Sequence, residues 1–403
     1  MHGRRIVLSV VASLGLALAG GTVAAQQEQG PAQSPPGSTG DAVLEYWTPE
    51  RMASAMPVPT PGVPTEGIAL TAKPMASGDP GLVNGWAPGS GPYVEQRQTF
   101  ARGEEPGFAS PQAFGTAPTN PLAGPYGPFQ RWTMQGSYTP YPRSVHGKLF
   151  FSLNGGNWVC SATVIGRSTI ATAGHCVSDG SATWATNFLF CPSYYQLGAF
   201  PGRGCWSGVT ATTSFQWFNA ADPDYDYACI VTATTGTTVA NKIGNVTGWV
   251  GRAWNWNDTP EMTFGYPAAA PFAGNIIQQT ASVDWYDVDF TAGGPASKVI
   301  GSDLTGGSSG GGWFLSWRAP GAEVADTDDN PGTDPAGANN GPYINGVNSH
   351  KRCAGGTCAS PPTATTGVFW QEMSSPRFRV DAGDINDSED VFAGCLAHSN
   401  NNP

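Results

Sequence analysis

Short hydrophobic stretches separated by polar and turn-forming positions recur in the C-terminal part of the chain. Segments such as "KLFFSLNGG", "WVCSATVIG", "STIATA" and "YACIVTA" are rich in Val, Ile, Phe, Trp, Tyr and Thr, and each is bounded by turn-forming residues. This pattern is typical of β-strands. A helical period is present only near "SEDVFAGCLAH", which predicts one short helix close to the end. Residues 144–397 are therefore predicted to form one all-β domain, with a tail at 398–403.

Residues 26–143 have a different texture, because proline, glycine, serine and alanine dominate stretches such as "PVPTPGVPTEG". Such a composition buries too little apolar surface to offset the lost conformational entropy, so we expect this leader to be largely disordered. Only "DAVLEYWTPERMASAM", with Leu44, Trp47 and Met52, is expected to dock on another surface. We interpret the leader as a propeptide, and the alternative is a surface-binding stalk.

The first residues carry a targeting pattern. Basic residues precede an apolar run from Ile6 to Ala19, and small residues follow as far as Ala25. This pattern predicts a signal peptide at 1–25, since the run is shorter than the ~20 residues of a membrane span. The mature protein is expected to be secreted, to the extracellular space or the periplasm, and not to associate with a membrane.

Charge and cysteine content narrow the picture further. With 30 acidic and 19 basic residues the net charge is -11, which argues against a nucleic-acid partner. The loop at 318–342 is rich in aspartate, but its spacing does not fit a helix-loop-helix calcium site, so a solvated loop is favoured and no metal is expected. The eight cysteines of an exported chain indicate disulfides. Sequence proximity favours three pairs and leaves two partners open: Cys160 with Cys176, Cys191 with Cys205, Cys353 with Cys358, and then Cys229 and Cys395.

The stretch "LTGGSSGGGW" at 304–313 raises the question of chemistry, because it could be a solvated linker or a turn that presents a hydroxyl. Nucleophilic attack on an amide needs an activated hydroxyl, a base, a carboxylate that orients the base, and donors for the oxyanion. The chain has five histidines, and His175 in "IATAGHCVSD" stands at the end of a β-like run. It is therefore the candidate base.

The segment "VCSATVIGRSTIATAGHC" resembles the start of the chymotrypsin-like serine peptidases, with Gly174 in place of the usual alanine. The resemblance implies a bridge between Cys160 and Cys176 and the order His, Asp, Ser along the chain. Both later motifs are present: "ADPDYDYACIVTA" and "GSSGG". The implied catalytic residues are His175, Asp226 and Ser309.

Other residues near these motifs take lesser roles. Ser308 would break the register of the Gly-x-Ser-Gly-Gly motif and is the weaker nucleophile, while Asp222 and Asp224 are interpreted as turn formers. By the resemblance, the backbone N–H groups of Gly307 and Ser309 form the oxyanion hole.

The resemblance also implies the fold and the activity. We expect two packed six-stranded antiparallel β-barrels and a short C-terminal helix, with His175 and Asp226 from the first barrel and Ser309 from the second. The expected activity is that of a serine endopeptidase without a cofactor, monomeric, with protein or peptide substrates and its own propeptide as partners. Activation would remove residues 26 to about 140, with Arg131 and Arg143 as plausible cut points.

Substrate preference stays open at this stage. "DLTGGSSGG" is most similar to the glutamyl-endopeptidase-like branch of secreted bacterial members. Asp303 then corresponds to the floor of the specificity pocket and Asn348 to a residue that lines it. The segment Asn345–Ser349 is either the strand that pairs with the substrate backbone or an ordinary core strand.

Two other classes of protein remain as alternatives. The pattern Gly307-x-Ser309-x-Gly311 also fits the nucleophile turn of α/β-hydrolase esterases, but the well-framed histidine precedes the serine and the helices are missing. The other alternative is a non-catalytic member of the fold that binds a protein or glycan. An intact set of histidine, aspartate and serine argues against it.

Overall fold

The structure is a computed structural model. It describes residues 29–37, 40–64, 78–99, 101, 129–133, 140–195, 203–256, 261–291, 294–316, 342–353 and 372–403. The predicted signal peptide at 1–25 and almost all of the aspartate-rich loop at 318–342 lie outside these ranges.

Strands dominate the described residues. In chain order they are β1 (Ala32–Gln33), β2 (Met56–Pro57), β3 (Gly62–Pro64), β4 (Gly81–Val83), β5 (Arg97–Thr99), β6 (Gln130–Thr133), β7 (His146–Leu153), β8 (Gly156–Gly166), β9 (Thr169–Thr172), β10 (Thr186–Pro192), β11 (Trp206–Thr213), β12 (Ala228–Thr232), β13 (Gly251–Trp254), β14 (Glu261–Gly265), β15 (Gln278–Ser282), β16 (Asp284–Val288), β17 (Ser297–Gly301), β18 (Gly312–Ser316), β19 (Tyr343–Val347), β20 (Lys351–Cys353) and β21 (Glu372–Ser375). The helices are α1 (Gly40–Tyr46), α2 (Pro49–Ser54), α3 (Phe215–Ala220), α4 (Ile243–Thr247) and α5 (Ser388–Leu396). Short 3₁₀ turns span Arg143–Val145, Gly174–Cys176, Pro223–Tyr225 and Ser399–Asn401.

The first half of the domain is a closed antiparallel barrel. Its strands follow the order β11-β10-β7-β8-β9-β12, and β12 pairs back with β11 to close the ring. Apolar side chains such as Leu149, Val164 and Ile230 are fully buried in its core. Strands β9 and β12 are buried at every position, so both of their faces are covered by other parts of the protein.

The second half is a sheet system rather than one continuous ring of paired strands. Eight strands follow the order β5-β4-β13-β19-β18-β14-β15-β6, and a separate sheet has the order β16-β17-β21. The all-β class, the six-stranded barrel and the C-terminal helix are confirmed. Three strands of the larger sheet, β4, β5 and β6, come from the leader, which the sequence did not predict.

The described parts of the leader pack on the domain. Trp47, between α1 and α2, is only 4% exposed; its indole N–H donates to the Asn187 carbonyl oxygen at 2.6 Å, and its ring lies 5.5 Å from that of Phe150. The docking expected for this segment is therefore observed. The expected disorder does not describe these segments, because a few large apolar residues anchor an otherwise polar chain. The propeptide interpretation and the domain boundaries, 26–143 and 144–397, stay predictions.

Three disulfides cross-link the described residues. Cys160–Cys176 and Cys191–Cys205 pair as predicted, and Cys229 pairs with Cys395, which ties helix α5 to strand β12. Cys358 lies outside the described residues, so its pairing with Cys353 stays a prediction. Among the described residues, the helices are all too short or too polar to cross a bilayer.

Candidate active site

His175 lies in the 3₁₀ turn that follows strand β9, and two local features hold it there. The Cys160–Cys176 disulfide ties the turn to strand β8. Gly174 is packed so closely that a Cβ atom there would lie 2.6 Å from Trp217 Cγ and 2.9 Å from the Asp226 Oδ1 atom. The position therefore has no room for a larger side chain unless Trp217 or Asp226 moves.

Asp226 follows the 3₁₀ turn Pro223–Tyr225 and is completely buried. Its Oδ1 accepts the His175 backbone N–H at 2.7 Å, and its Oδ2 accepts His175 Nδ1 at 2.7 Å and Ser349 Oγ at 2.5 Å. Burial by itself would raise the pKa of Asp226, but the neighbouring His175, His350 and Ser349 outweigh it and lower the pKa. The carboxyl group is therefore ionised at neutral pH and fixes the histidine ring.

The tautomer of His175 follows from this contact. With Nδ1–H donating to the carboxylate, Nε2 carries the free lone pair. Nε2 is buried and has no hydrogen-bond partner among the described residues. A base with a free lone pair in a nearly dry site, 6% exposed, is suited to accept a proton from a substrate or a hydroxyl.

Ser309 stands in the turn between β17 and β18. Its carbonyl oxygen accepts the Ser161 N–H at 2.7 Å, and a Cβ atom on Gly310 would lie 2.8 Å from the Ala173 nitrogen. The turn therefore lies directly against the end of strand β9, two residues before His175. Ser309 is 1% exposed, and its Oγ has no hydrogen-bond partner among the described residues.

The three predicted catalytic residues are thus joined in part. A short hydrogen bond links His175 to Asp226. The serine hydroxyl and the histidine Nε2 are both buried, and neither has a hydrogen-bond partner among the described residues. Catalytic hydrogen bonds are often long in proteins without substrate and tighten on binding. Ser308 differs, because its hydroxyl donates to the Thr305 carbonyl oxygen at 2.8 Å and is already engaged.

The two amides predicted for the oxyanion hole have different partners. Gly307 adopts φ +92°, a conformation that suits glycine, and its N–H donates to the Val58 carbonyl oxygen at 3.2 Å. The Ser309 amide has no hydrogen-bond partner among the described residues. One donor of the predicted pair is therefore occupied by a leader residue.

The predicted pocket residues have partners of their own. Asp303 Oδ2 accepts from Arg131 Nε of the leader at 2.9 Å, and the Asp303 side chain is 19% exposed. Asn348 is fully buried: its Nδ2 donates to the carbonyl oxygens of Phe264 and Ser308, and its Oδ1 accepts from Trp313 Nε1. These bonds favour a structural role for Asn348, and its contact with substrate stays a prediction.

Two functional neighbours were missed in the sequence. Ser349 contributes the third hydrogen bond to Asp226, and His350 Nε2 lies 3.8 Å from the same carboxylate. Burial lowers the pKa of His350 to about 4, so this ring is neutral at pH 7. The dipeptide Ser349-His350 gave no indication of this role, because local sequence does not show that Ser349 contacts a carboxylate 123 positions away.

One cluster in the described residues has the donor types of a metal site. The ligand atoms of Cys160, His175 and Cys176 lie within 4.8 Å of one another. The two cysteines form a disulfide, and metal binding by cysteine needs a thiolate. In this oxidation state the cluster offers a single nitrogen ligand, which does not fit a metal centre.

Comparison with known proteins gives one curated relative. No protein-family model matches the chain. The chain is 26% identical over 159 residues to a protein described as the extracellular metalloprotease of Bacillus subtilis (strain 168). The match covers 38% of this chain and 48% of the relative, so the chain spans about half the length of the curated relative it matches.

Solved structures of proteases are also similar. The thermostable serine protease AL20 from an extremophilic microorganism is 29% identical, with a TM-score of 0.46, and the match covers 62% of this chain and 97% of that one. The protease Anisep from Arthrobacter nicotinovorans is 26% identical, with a TM-score of 0.46 and coverage of 66% and 97%. A Glu endopeptidase is 15% identical, with a TM-score of 0.41 and coverage of 66% and 95%. The functional proposal depends on the geometry of the site itself.

Proposed function

We propose that this protein is a secreted serine endopeptidase of the chymotrypsin-like type, in which Ser309 is the nucleophile, His175 the general base and Asp226 the residue that orients it. One observation carries the proposal. His175 is held by two hydrogen bonds to a buried carboxylate, its Nε2 is buried without a partner among the described residues, and the turn that carries the buried, unpaired hydroxyl of Ser309 packs against Ala173, two residues before His175.

The reaction follows from these positions. Ser309 Oγ attacks the scissile carbonyl carbon while His175 Nε2 accepts its proton, and Asp226 stays ionised and stabilises the imidazolium. The N–H groups of Gly307 and Ser309 stabilise the oxyanion, each by about 3 kcal/mol. His175 then returns the proton to the leaving amine. In the second half of the reaction His175 Nε2 accepts a proton from water as the water oxygen attacks the acyl carbon, and it gives that proton to Ser309 Oγ when the bond between the serine and the acid product breaks.

The surroundings support an exported peptidase. Three disulfides are typical of an oxidising compartment, and the leader packed on the domain fits a propeptide that is removed later. Asp303 and the strand that ends near Asn348 are the proposed substrate-binding region. The residue preferred on the amino side of the cleaved bond stays open, because Asp303 is paired with a leader arginine in this form.

The test uses the chain from which the leader has been removed. Ser309→Ala and His175→Ala are each expected to lower kcat/KM on a peptide substrate by about 10⁴-fold or more. Ser308→Ala is the matched control, since this neighbouring hydroxyl bonds only to the Thr305 carbonyl, and it should stay within about tenfold of wild type. Activity within tenfold of wild type in either of the first two variants would reject the proposal.

Labelling with an organophosphonate separates the enzyme from the non-catalytic alternative. An adduct on Ser309 is expected only if the hydroxyl is activated by the neighbouring base. A leader-free, folded protein that forms no adduct would instead favour a binding module built on the same fold.

A further inference from the structure

Part of the leader crosses the domain as an extended strand. This segment, Met56–Pro64, pairs at each of its two ends with a strand from a different half of the domain. At its start Met56 lies opposite Trp158 of β8, and at its end Gly62 lies opposite Lys351 of β20; both pairings are parallel. The strand therefore bridges the barrel and the second sheet system.

Between these pairings the strand passes over the proposed active site. The Val58 N–H donates to the Val159 carbonyl oxygen at 3.1 Å, and the Val58 carbonyl oxygen accepts from the Gly307 N–H at 3.2 Å. Further along, the Lys351 N–H donates to the Pro61 carbonyl oxygen at 3.0 Å. A leader carbonyl group thus occupies a donor that the reaction needs for its oxyanion.

A second leader strand contacts Asp303, the proposed floor of the specificity pocket. Arg131 of β6 donates to Asp303 at 2.9 Å, and its guanidinium lies 4.9 Å from the centre of the Phe272 ring. The leader therefore contacts the site at two places that are far apart in its own sequence. This agreement argues against a chance contact of a loose segment.

The composition of the strand suits a bound, extended peptide. Proline fixes φ and removes an N–H group, so a proline-rich segment is already extended before it binds and loses little entropy on docking. Thr60, in the middle of the strand, is only 8% exposed. The prolines of the strand are Pro57, Pro59, Pro61 and Pro64.

We propose that Met56–Pro64 is an inhibitory strand, which binds the substrate cleft and occupies the oxyanion donor Gly307, so that the full-length chain is latent until this strand leaves. The proposal rests on the proposed function, because the cleft is defined by its catalytic residues. The proposal also identifies the cleft as a groove that binds an extended peptide through the backbone of Val159, Gly307 and Lys351.

Gly306 provides a selective way to displace the strand. A Cβ atom at this position would lie 2.6 Å from the Val58 carbonyl oxygen, and the next two nearest heavy atoms, at 3.5 Å, also belong to the leader strand. Gly306→Ala should therefore clash with the leader and leave the domain unstrained. Gly30→Ala is the matched control, because that leader glycine has no atom within 4 Å of the added group.

The experiment measures how fast a small fluorescent organophosphonate labels Ser309 in the purified full-length protein. We expect slow labelling of wild type and of Gly30→Ala, and labelling at least tenfold faster in Gly306→Ala. Pro59→Ser combined with Pro61→Ser is a second variant that loosens the strand, and it should also be faster than wild type. A synthetic peptide of residues 56–64 should slow the labelling of leader-free protein, and the same residues in scrambled order should not.

The outcomes separate this proposal from the proposed function. If wild-type full-length protein is labelled as fast as leader-free protein, the inhibitory strand is rejected while the serine peptidase proposal stands. If Gly306→Ala and the double proline variant both label as slowly as wild type although leader-free protein labels fast, the assignment to Met56–Pro64 is also wrong. If leader-free protein is not labelled at all, both proposals fail.

Discussion

Replacing Asp226 by asparagine tests the catalytic assignment most directly, because the change preserves shape and removes one acceptor. Asp226 accepts three hydrogen bonds: one from the His175 backbone N–H through Oδ1, and two, from His175 Nδ1 and Ser349 Oγ, through Oδ2. An asparagine side chain has a single oxygen in place of these two acceptors.

The amide can be placed in two ways, and both harm the site. If the amide oxygen takes the Oδ1 position, the NH₂ group faces His175 Nδ1. That nitrogen must then accept a hydrogen bond from the amide, so the ring proton moves to Nε2. The base is then blocked on the side that should take the proton from Ser309. If the oxygen takes the Oδ2 position, the NH₂ group opposes the His175 backbone N–H, and a buried donor is left unpaired at a cost of about 1–3 kcal/mol.

We therefore expect Asp226→Asn to lower kcat by about 10⁴-fold, the size of effect seen when this tautomer is lost in other triads. The assay is kcat and KM of the leader-free protein on a peptide substrate, together with its thermal unfolding. Ser349→Ala is the matched control: it removes one donor to the carboxylate but keeps the tautomer, so its effect should be about tenfold or less. The reasoning is refuted if Asp226→Asn stays within tenfold of wild type, or if both variants lose activity equally while remaining folded.

Three further outcomes are expected. Replacing Cys229 and Cys395 together by alanine should lower the free energy of unfolding by about 5 kcal/mol, since the bridge closes a loop between positions 166 apart, and denaturant titration under non-reducing conditions checks this. Burial raises the pKa of Asp224 from 3.8 to about 7, so the folded state binds the proton more tightly than the unfolded state does. The free energy of unfolding should therefore fall as the pH rises from about 4 to 7. Thermal melts over this pH range should show a flatter slope for Asp224→Asn. Trp47→Ala should remove about 3–5 kcal/mol of packing from the docked leader and speed hydrogen exchange in α1 and α2 of the full-length chain, while unchanged exchange would show that this anchor is dispensable.

The sequence was sufficient for features that depend on local pattern. Short runs of β-branched and aromatic residues predicted strands such as β8 and β12, and an apolar period predicted helix α5. The helix begins at Ser388 and is capped by Asp387, whose side chain accepts the Asp390 N–H at 3.0 Å. The spacing of cysteines likewise predicted two of the three bridges. In each case the information lies within a few residues of the feature.

The order of the motifs predicted the principal candidate residues of the site. His175 and Asp226 are hydrogen-bonded and the hydroxyl of Ser308 is engaged by the Thr305 carbonyl oxygen, and the catalytic roles stay proposals. The third partner of the carboxylate, Ser349, was not predicted, because its distance in sequence hides its proximity in space.

Tertiary structure alone decided where the leader goes. Its proline-rich composition predicts a chain that cannot form its own core, and that reasoning is sound for an isolated segment. The domain supplies what the segment lacks: a carbonyl acceptor for the Trp47 indole, an N–H group from Gly307, and main-chain pairing with β8 and β20. Hydrogen bonds and apolar burial between distant parts of one chain leave no periodic trace in either part, so only the folded structure reveals a leader bound across the site.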